Sequence, residues 1–187
     1  MTVGTVCETA YGWVALAASE RGVTVLTLPV ASAAEAEARL QAEAGPGAVV
    51  RPGAVSPGSV AATLIERLAR DIVDYYAGVP VDFGAYPLDL PGTPFIQTVR
   101  QLVRAITYGV TRSYGEVAAL AGAPGAARAV GQVMAKNPVT VVIPCHRVVG
   151  ASNRLQGFGG GLPMKERMLR MEGVPFAAPG RVADRQS

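Results

Sequence analysis

One cysteine of this sequence stands where it could act as a nucleophile. The run Ile143-Pro144-Cys145-His146-Arg147 places its thiol beside an arginine and the only histidine among the 187 residues. The thiolate is the reactive form, and neighbours that are cationic or accept a proton make it available near neutral pH. Adjacent side chains seldom face the same point, so we expect His146 to act through a bridging water. A buried structural cysteine with a chance neighbour is the alternative, although Pro144 and the glycine-rich loop beyond it favour a built site.

Two short helices joined by a glycine-containing turn precede this cysteine. The S-x-x-E pattern at Ser113 predicts the start of the first helix, which ends at Gly122, and Pro124 opens the second. The second helix displays small residues around Arg128, whereas major-groove readers normally display several long polar side chains. Small residues let a helix approach a narrow groove, and one arginine could enter the base stack, which favours minor-groove binding with a flipped nucleotide. An Ala-rich core helix with one solvated arginine is the alternative.

Two further features could serve a site around the cysteine. The triple glycine at 159–161 precedes a helix and could offer N–H groups to an anion or a base oxygen, or it could be a hinge. Glu172 is one of 3 acidic residues between 93 and 173. It could orient His146 or form a surface ion pair.

The charge changes sign along the chain. Residues 1–92 carry 5 Lys and Arg against 10 Asp and Glu, a net charge of −5. Residues 93–173 carry 10 against 3, a net charge of +7. A basic half favours contact with a polyanion, although a charge dipole without consequence fits this feature equally well.

The usage of cysteine and histidine limits the other classes of site. Cys7 and Cys145 are far apart, and we expect them to be free thiols of a cytoplasmic protein. With a single histidine, a zinc site of Cys and His is not expected, and we predict no metal. No apolar run is long enough to cross a membrane, and the N-terminal residues lack the pattern of a signal peptide.

Hydrophobic periodicity predicts the elements of the first half. Short β-branched runs separated by turn residues predict a meander, and apolar residues at i, i+3, i+4 and i+7 predict a long helix. The predicted strands are residues 2–8, 12–18 and 23–28, with a further short strand at 48–51 in a loop and another within 81–90. The predicted helices are residues 32–43, capped by Ser32, and 59–77.

In the second half, Thr93-Pro94 predicts the start of another helix. The apolar run Val139–Ile143 predicts a buried strand, and Pro163 opens a last helix that ends at Met171. We place a domain border at residue 92, where the charge changes sign. The predicted organisation is a supporting α/β domain at 1–92, the domain with the chemistry at 93–173, and a flexible tail at 174–187.

Residues 92–173 together resemble the O6-alkylguanine-DNA alkyltransferases, which are methylated-DNA–protein-cysteine methyltransferases. The most specific segments are PCHRV, AARAVG and Asn137-Pro138, and the first half matches only in general layout. The segments that carry the resemblance are GTPF (92–95), RSYGEVA (112–118), GAARAVG (125–131), NPVTVVIPCHRVVG (137–150), GFGGGL (157–162), KER (165–167) and MEG (171–173).

The resemblance implies an α+β fold, with an N-terminal ribonuclease-H-like αβ roll and a C-terminal winged-helix-like domain that contains the helix-turn-helix. It also implies repair of DNA by direct reversal of damage. The protein would bind double-stranded DNA in the minor groove, flip out O6-alkylguanine or O4-alkylthymine, and transfer the alkyl group irreversibly to Cys145. Each molecule, a monomer without cofactor or membrane contact, would act once.

The resemblance also assigns roles to residues around the acceptor. Cys145 would accept the alkyl group, His146 would deprotonate it through water, and Glu172 would hold and charge-balance His146. Asn137 would brace the active-site turn. Tyr114 would donate a hydrogen bond toward the base or rotate the 3′ phosphate.

Further residues would bind the DNA and the flipped base. Arg128 would fill the gap that the nucleotide leaves, and the Val148 carbonyl would read the guanine. The implied DNA contacts are Ser113, Tyr114, Ala126, Ala127, Arg128 and Gly131, and the implied base pocket is Val148, Phe158, Gly159 and Gly160. Phe158 stands where the family often has tyrosine, Gly159 where it has serine or alanine, and Arg100 where many members have tryptophan. These departures leave the accepted alkyl groups open.

Three other functions compete with alkyl transfer. A non-catalytic alkyltransferase-like protein binds alkylated DNA but lacks the acceptor cysteine, which this chain has. A cysteine hydrolase would need an acyl-binding pattern, and none is evident. A winged-helix regulator would need long polar side chains on its recognition helix.

Overall fold

The computed structural model describes residues 2–44, 49–50 and 59–184, which mix helices and strands in an α+β arrangement. The chain divides into two compact units: Met1–Pro91 with Pro138–Val142, and Gly92–Asn137 with Ile143–Ser187. Residues 138–142 belong to the first unit, although they lie after the border that we placed at residue 92. None of the described helices has the length and hydropathy that crossing a lipid bilayer requires.

The sheet of the first unit begins with the meander that the sequence predicts. β1 (Val3–Thr9), β2 (Gly12–Ser19) and β3 (Gly22–Leu26) pair antiparallel through tight turns. β4 (Val49–Val50) runs parallel to β1 and gives the order β3-β2-β1-β4. The rest of the predicted 48–51 strand and its loop lies outside the described residues. Of the strand predicted within 81–90, the structure has only a single bridge, between Leu88 and Val23.

Two helices cover this sheet. α1 (Ala33–Ala44) begins where Ser32 Oγ accepts a hydrogen bond from the Glu35 N–H (3.2 Å), so the predicted cap is confirmed. α2 (Val60–Tyr76) confirms the predicted long helix. Along β2, Ala15 and Ala17 pack with α1 while Ala18 packs with α2. Because side chains alternate along a strand, the two helices contact opposite faces of the sheet.

The predicted strand Val139–Ile143 is wrong. Residues 138–140 pair with β3 through Leu26, whose N–H donates to Pro138 O (2.9 Å) and whose carbonyl accepts from Thr140 N (2.8 Å). The chain then turns at Val141, which has φ 66°, and Val142 N donates to Thr140 O (2.7 Å). A hydrogen bond from i+2 to i around a positive φ is a γ-turn, an uncommon conformation for a β-branched residue. The apolar run is therefore buried as predicted, but it is not an extended strand.

The second unit holds the remaining elements. α3 (Pro94–Arg104) begins at the Thr93 cap, and the predicted capping box at Ser113 is present. The helix predicted from Pro124 begins only at Ala127, after a turn. The elements are α3, β5 (Arg112–Ser113), α4 (Tyr114–Leu120), α5 (Ala127–Ala135), a 3₁₀ turn at Cys145–Arg147, β6 (Val148–Val149), a second 3₁₀ turn at Ala151–Asn153, α6 (Leu162–Met171), β7 (Phe176–Ala178) and β8 (Arg181–Val182).

The flexible tail predicted at 174–187 is wrong for residues 174–184. β7 and β8 form an antiparallel hairpin, and Val182 is 1% exposed. Although this segment is rich in Pro, Ala and Gly, three of its apolar residues pack in a hydrophobic core. The hairpin residues Val174, Phe176 and Val182 pack with Val149, Leu155 and Leu169.

Candidate active site in the second unit

The thiol of Cys145 lies in a tight turn whose shape is held by a side-chain amide. The Cys145 N–H donates to Ile143 O (2.7 Å) around Pro144, which has φ −77° and ψ 69°. Asn137 Nδ2 donates to the same Ile143 carbonyl (2.8 Å). An inverse γ-turn at Pro144 thus presents the cysteine, and Asn137 lies where the predicted brace would act.

The Cys145 thiol is nearly enclosed, with 7% of the residue exposed. Burial raises its pKa, because desolvation disfavours the thiolate. A hydrogen bond from the Asn137 side chain and the positive charge of Lys165 oppose this shift. The environment of Cys145 therefore imposes a penalty on the thiolate and also contains groups that reduce that penalty.

A buried ionic cluster adjoins the cysteine in sequence. His146 Nε2 lies 2.8 Å from Glu172 Oε1, and Arg147 donates from Nε and Nη2 to the two carboxylate oxygens of Glu172 at 2.9 Å each. Burial alone would raise the pKa of Glu172, but its electrostatic interactions and hydrogen bonds with His146 and Arg147 outweigh burial and hold that pKa well below its usual range. Glu172 is therefore a carboxylate, charge-balanced by Arg147.

The same cluster sets the protonation of His146. Burial lowers the pKa of this imidazole, and the nearby Glu172 carboxylate opposes the shift without reversing it. A neutral imidazole has one N–H, and the contact with a carboxylate places that proton on Nε2. Nδ1 is then the basic nitrogen of the ring.

Lys165 is a site residue whose role the sequence analysis missed. It is buried on α6 with 0% exposure, and its Nζ donates to Val148 O (2.6 Å) and Gln156 O (2.9 Å). Burial lowers its pKa to about 8, and the charge of Cys145 raises it in opposition. A signal was present: residues 165, 168, 169 and 172 have the i, i+3, i+4, i+7 spacing of one buried face, and two of them, Lys165 and Glu172, are charged.

Tyr114 is brought to this cluster by strand pairing. β5 pairs parallel with β6, with Ser113 opposite Val149, so Tyr114 begins α4 beside the strand that follows Cys145. Burial, with the charge of Cys145, raises the pKa of Tyr114 to about 12. Its hydroxyl is thus a hydrogen-bond donor at neutral pH. The Lys165 Nζ lies 5.8 Å from its ring centroid.

The residues expected to contact DNA lie around α4 and α5. Arg128 is exposed in the first turn of α5, and Ala126 and Ala127 are half-buried beside it. Ser113 Oγ accepts from the Glu116 N–H (3.1 Å), so this hydroxyl already has a structural role as a cap. A Cβ added at Gly131 would lie 3.9 Å from the Tyr114 ring, which is ordinary contact.

Two of the residues expected to line a base pocket, Val148 and Phe158, lie near Lys165. Val148 is buried, and its carbonyl accepts from Lys165; since a carbonyl has two lone pairs, it can accept one more hydrogen bond. The Phe158 ring is half-buried, 5.8 Å from Lys165 Nζ. Gly159 and Gly160 are exposed in the loop that leads to α6. Across the part of the chain that the structure describes, no group of three or more His, Cys, Asp or Glu could hold a metal ion.

Comparisons with known proteins relate this chain to a protein family. A family model described as 6-O-methylguanine DNA methyltransferase, DNA binding domain, matches residues 94–174. The methylated-DNA–protein-cysteine methyltransferase of Mycobacterium leprae is 54% identical over 98 residues, which span 52% of this chain and 59% of that protein. The Salmonella typhimurium protein of the same name is 44% identical over 114 residues, 61% of this chain and 67% of that protein.

The solved structures extend the similarity to nearly the whole chain. The crystal structure of Mycobacterium tuberculosis O6-methylguanine methyltransferase has a TM-score of 0.70 and 35% identity, covering 92% of this chain and 93% of that chain. A structure of the M. tuberculosis protein in complex with DNA has a TM-score of 0.72 and 35% identity, covering 91% and 92%. The chain therefore belongs to the methylated-DNA–protein-cysteine methyltransferase family.

Proposed function

We propose that this protein repairs DNA by moving an alkyl group from O6 of guanine to its own Cys145, as a methylated-DNA–[protein]-cysteine S-methyltransferase. The observation that carries the proposal is the neutral, buried imidazole of His146, held by Glu172 and directly following a cysteine in a braced turn. A neutral imidazole can take a proton, and a thiolate is the form of cysteine that attacks carbon. The Cys145 present here also distinguishes the chain from a non-catalytic lesion-binding relative.

The reaction is a displacement at the alkyl carbon. His146 Nδ1 takes the thiol proton through a bridging water, and the Cys145 sulfur forms a bond to carbon while the carbon–O6 bond breaks. The electron pair leaves with O6, and the proton ends on the guanine, which is restored. Tyr114 donates a hydrogen bond to the base, which assists departure of the leaving group. The product thioether does not reverse, so each molecule acts once.

We propose that duplex DNA binds to α4 and α5, the helix-turn-helix of a winged-helix variant, while the first unit is a ribonuclease-H-like αβ roll. The net charge of +7 in residues 93–173 supports attraction of phosphates. Small residues at 126, 127 and 131 favour close approach to the minor groove, and the exposed Arg128 would occupy the space of a flipped nucleotide. The free thiols Cys7 and Cys145 fit a cytoplasmic protein.

The flipped base would lie between the Val148 carbonyl and the residues Phe158, Gly159 and Gly160. Phenylalanine at 158 offers a ring face without a hydroxyl, and glycine at 159 offers a backbone N–H without a side chain in front of it. Such a wall suits a larger O6 substituent as well as methyl, and O4-alkylthymine is a second substrate.

The test is the intact mass of the protein after incubation with duplex DNA that contains one O6-methylguanine. We expect one added methyl group per molecule, at most, and no gain in Cys145→Ala. Cys7→Ala is the matched control, since Cys7 is the other free thiol and burial raises its pKa to about 11; it should be methylated like the wild type. DNA binding without a mass change would support a lesion-binding protein instead, and methylation that persists in Cys145→Ala would exclude Cys145 as acceptor.

A further inference from the structure

The chain beyond α6 contacts the loop between Cys145 and the glycine run. We define the pocket loop as residues 150–161 and the C-terminal hairpin as residues 174–184; the family match ends at residue 174. We propose that the C-terminal hairpin is a positioning element for the substrate: it fixes the pocket loop, and thereby the wall of the base pocket, without acting on the thiol. This inference rests on the proposed function.

The hairpin extends its backbone pairing onto the pocket loop. Leu155 N donates to Gly180 O (2.8 Å), and Arg154 forms an antiparallel bridge with Arg181. Within the loop, Gly150 N donates to Arg154 O (2.7 Å). The hairpin therefore continues directly into the loop as a further short stretch of paired backbone.

Side chains also connect the C-terminal hairpin to the pocket loop, both in the buried core and at the surface. Leu155 is buried with Val182 of the hairpin and Leu169 of α6 in one apolar cluster. On the exposed side, Asn153 Nδ2 donates to Asp184 Oδ1 (2.7 Å). Packing within the cluster and a polar contact at its rim together oppose separation of hairpin and loop.

The shape of the loop explains why it needs such support. Ser152 has φ 56° and Asn153 has φ 59°, two successive non-glycine residues in the left-handed region. Such conformations persist where surrounding structure over-determines them. Gln156, next to the paired Leu155, has its carbonyl held by Lys165 Nζ (2.9 Å).

The hairpin is itself tied to the helix that carries Lys165. Gly180 N donates to Glu166 Oε2 (3.0 Å), and the Arg170 guanidinium lies 4.2 Å from the Phe176 ring centroid. Neighbouring loop residues are thus fixed from two sides, Leu155 by the hairpin and Gln156 by Lys165. Because the loop continues to Phe158, a hairpin that loosens would displace the wall expected against the base.

The test separates positioning of the base from reactivity of the thiol. Val182→Ala and Asp184→Ala weaken the contact with the loop, and Glu35→Ala is the control, since it breaks an exposed ion pair with Arg39 (3.0 Å) on α1. Two rate constants are measured for each: transfer from O6-benzylguanine, which needs the pocket, and alkylation of Cys145 by iodoacetamide, which does not. We expect transfer to fall about tenfold in Val182→Ala and about threefold in Asp184→Ala, since small misplacements of reacting groups are costly. Iodoacetamide alkylation should stay unchanged or rise.

Hydrogen exchange of the Leu155 amide gives a direct reading of the contact and should quicken in both variants. If Val182→Ala fails to fold, the rate constants of Asp184→Ala alone test the positioning role. Unchanged transfer with quickened exchange, or equal losses in both rate constants, would overturn the positioning role. A wild-type protein that does not react with O6-benzylguanine or with methylated DNA would instead overturn the proposed function, so the two failures are distinguishable.

Discussion

Glu172→Gln tests the buried cluster, because it keeps the shape of the side chain and removes its charge. Glu172 accepts two hydrogen bonds from Arg147 at 2.9 Å and lies 2.8 Å from His146, and its side chain is 0% exposed. In the variant, the Arg147 guanidinium stays buried without a counter-charge. Breaking a buried ion pair from one side costs about 3–5 kcal/mol, a large share of the roughly 5–15 kcal/mol by which domains are stable.

The same substitution should slow alkyl transfer for a separate reason. The carboxylate raises the basicity of His146, so an imidazole beside a neutral amide takes the Cys145 proton less readily. The loss is bounded by what general-base catalysis contributes, about 10²–10⁴-fold. Unfolding in urea followed by circular dichroism measures the first effect, and single-turnover transfer from O6-methylguanine DNA measures the second.

The double variant Arg147→Met/Glu172→Gln separates the two effects. It removes the stranded cation, so most of the lost stability should return, while the transfer rate should stay low because His146 still lacks the carboxylate. Glu172→Gln with wild-type stability would refute the ion-pair argument. A double variant that recovers both stability and transfer would refute the role of Glu172 in the relay.

The cluster also predicts how stability depends on pH. Since the folded pKa of Glu172 lies below that of an unfolded glutamate, about 4.3, its contribution is complete above that value and is lost as the pH falls toward the folded pKa. The wild-type free energy of unfolding should therefore fall more steeply below about pH 5 than that of the double variant. Parallel pH profiles would contradict the assignment.

Three further predictions concern DNA and the helix that carries Tyr114. Arg128→Ala should slow transfer from duplex DNA more than from free O6-benzylguanine, since only the duplex needs flipping; equal losses would count against the finger role. DNA binding should weaken steeply with salt in a filter or fluorescence assay, because phosphates supply most of the attraction, and a flat response would contradict a basic binding face. Ser113→Ala, which removes half of a capping box, should cost about 1 kcal/mol in urea unfolding, and an unchanged midpoint would show that the cap is dispensable.

Local signals predicted most of the elements, because they act within a few residues. The meander follows from alternation and turn residues, and the starts of α1, α3 and α4 follow from hydroxyl caps that accept backbone hydrogen bonds. The residues alone put Cys145 beside His146 and left the orientation of His146 by Glu172 as one of two alternatives, and the family resemblance favoured that alternative. The structure places His146 and Glu172 in contact, while the catalytic roles stay predictions.

The errors arise where distant contacts override local pattern. The run Val139–Ile143 has the composition of a strand, but its pairing with Leu26 ends after Thr140 and the backbone turns at Val141. Residues 174–184 have the composition of a tail, yet Val182 is buried in a core 13 residues from Leu169. Neither the pairing with Leu26 nor the burial of Val182 can be predicted from the residues that are adjacent in sequence. Lys165 differs, since its place on an apolar helix face could have been seen.

The buried charges of the site favour the thiolate form of Cys145, and they predict a consequence of its alkylation. Among the described residues, the buried charged side chains are Arg147, Lys165 and Glu172. Glu172 is balanced by Arg147, so the charge of Lys165 has no buried counterpart until Cys145 ionises. The site is therefore electrically complementary to a thiolate.

A thioether carries no charge, so alkylation permanently removes the negative charge that Cys145 can acquire beside Lys165. Burial lowers the pKa of Lys165 to about 8, and the charge of Cys145 opposes this shift. The pKa of Lys165 should therefore be lower in the methylated protein than in the unmodified protein, because the opposing charge is gone. An NMR titration of the lysine side chains in both forms, with Lys165→Met to assign the signal, measures the difference. Equal pKa values in the two forms would show that Lys165 does not sense the charge on the sulfur.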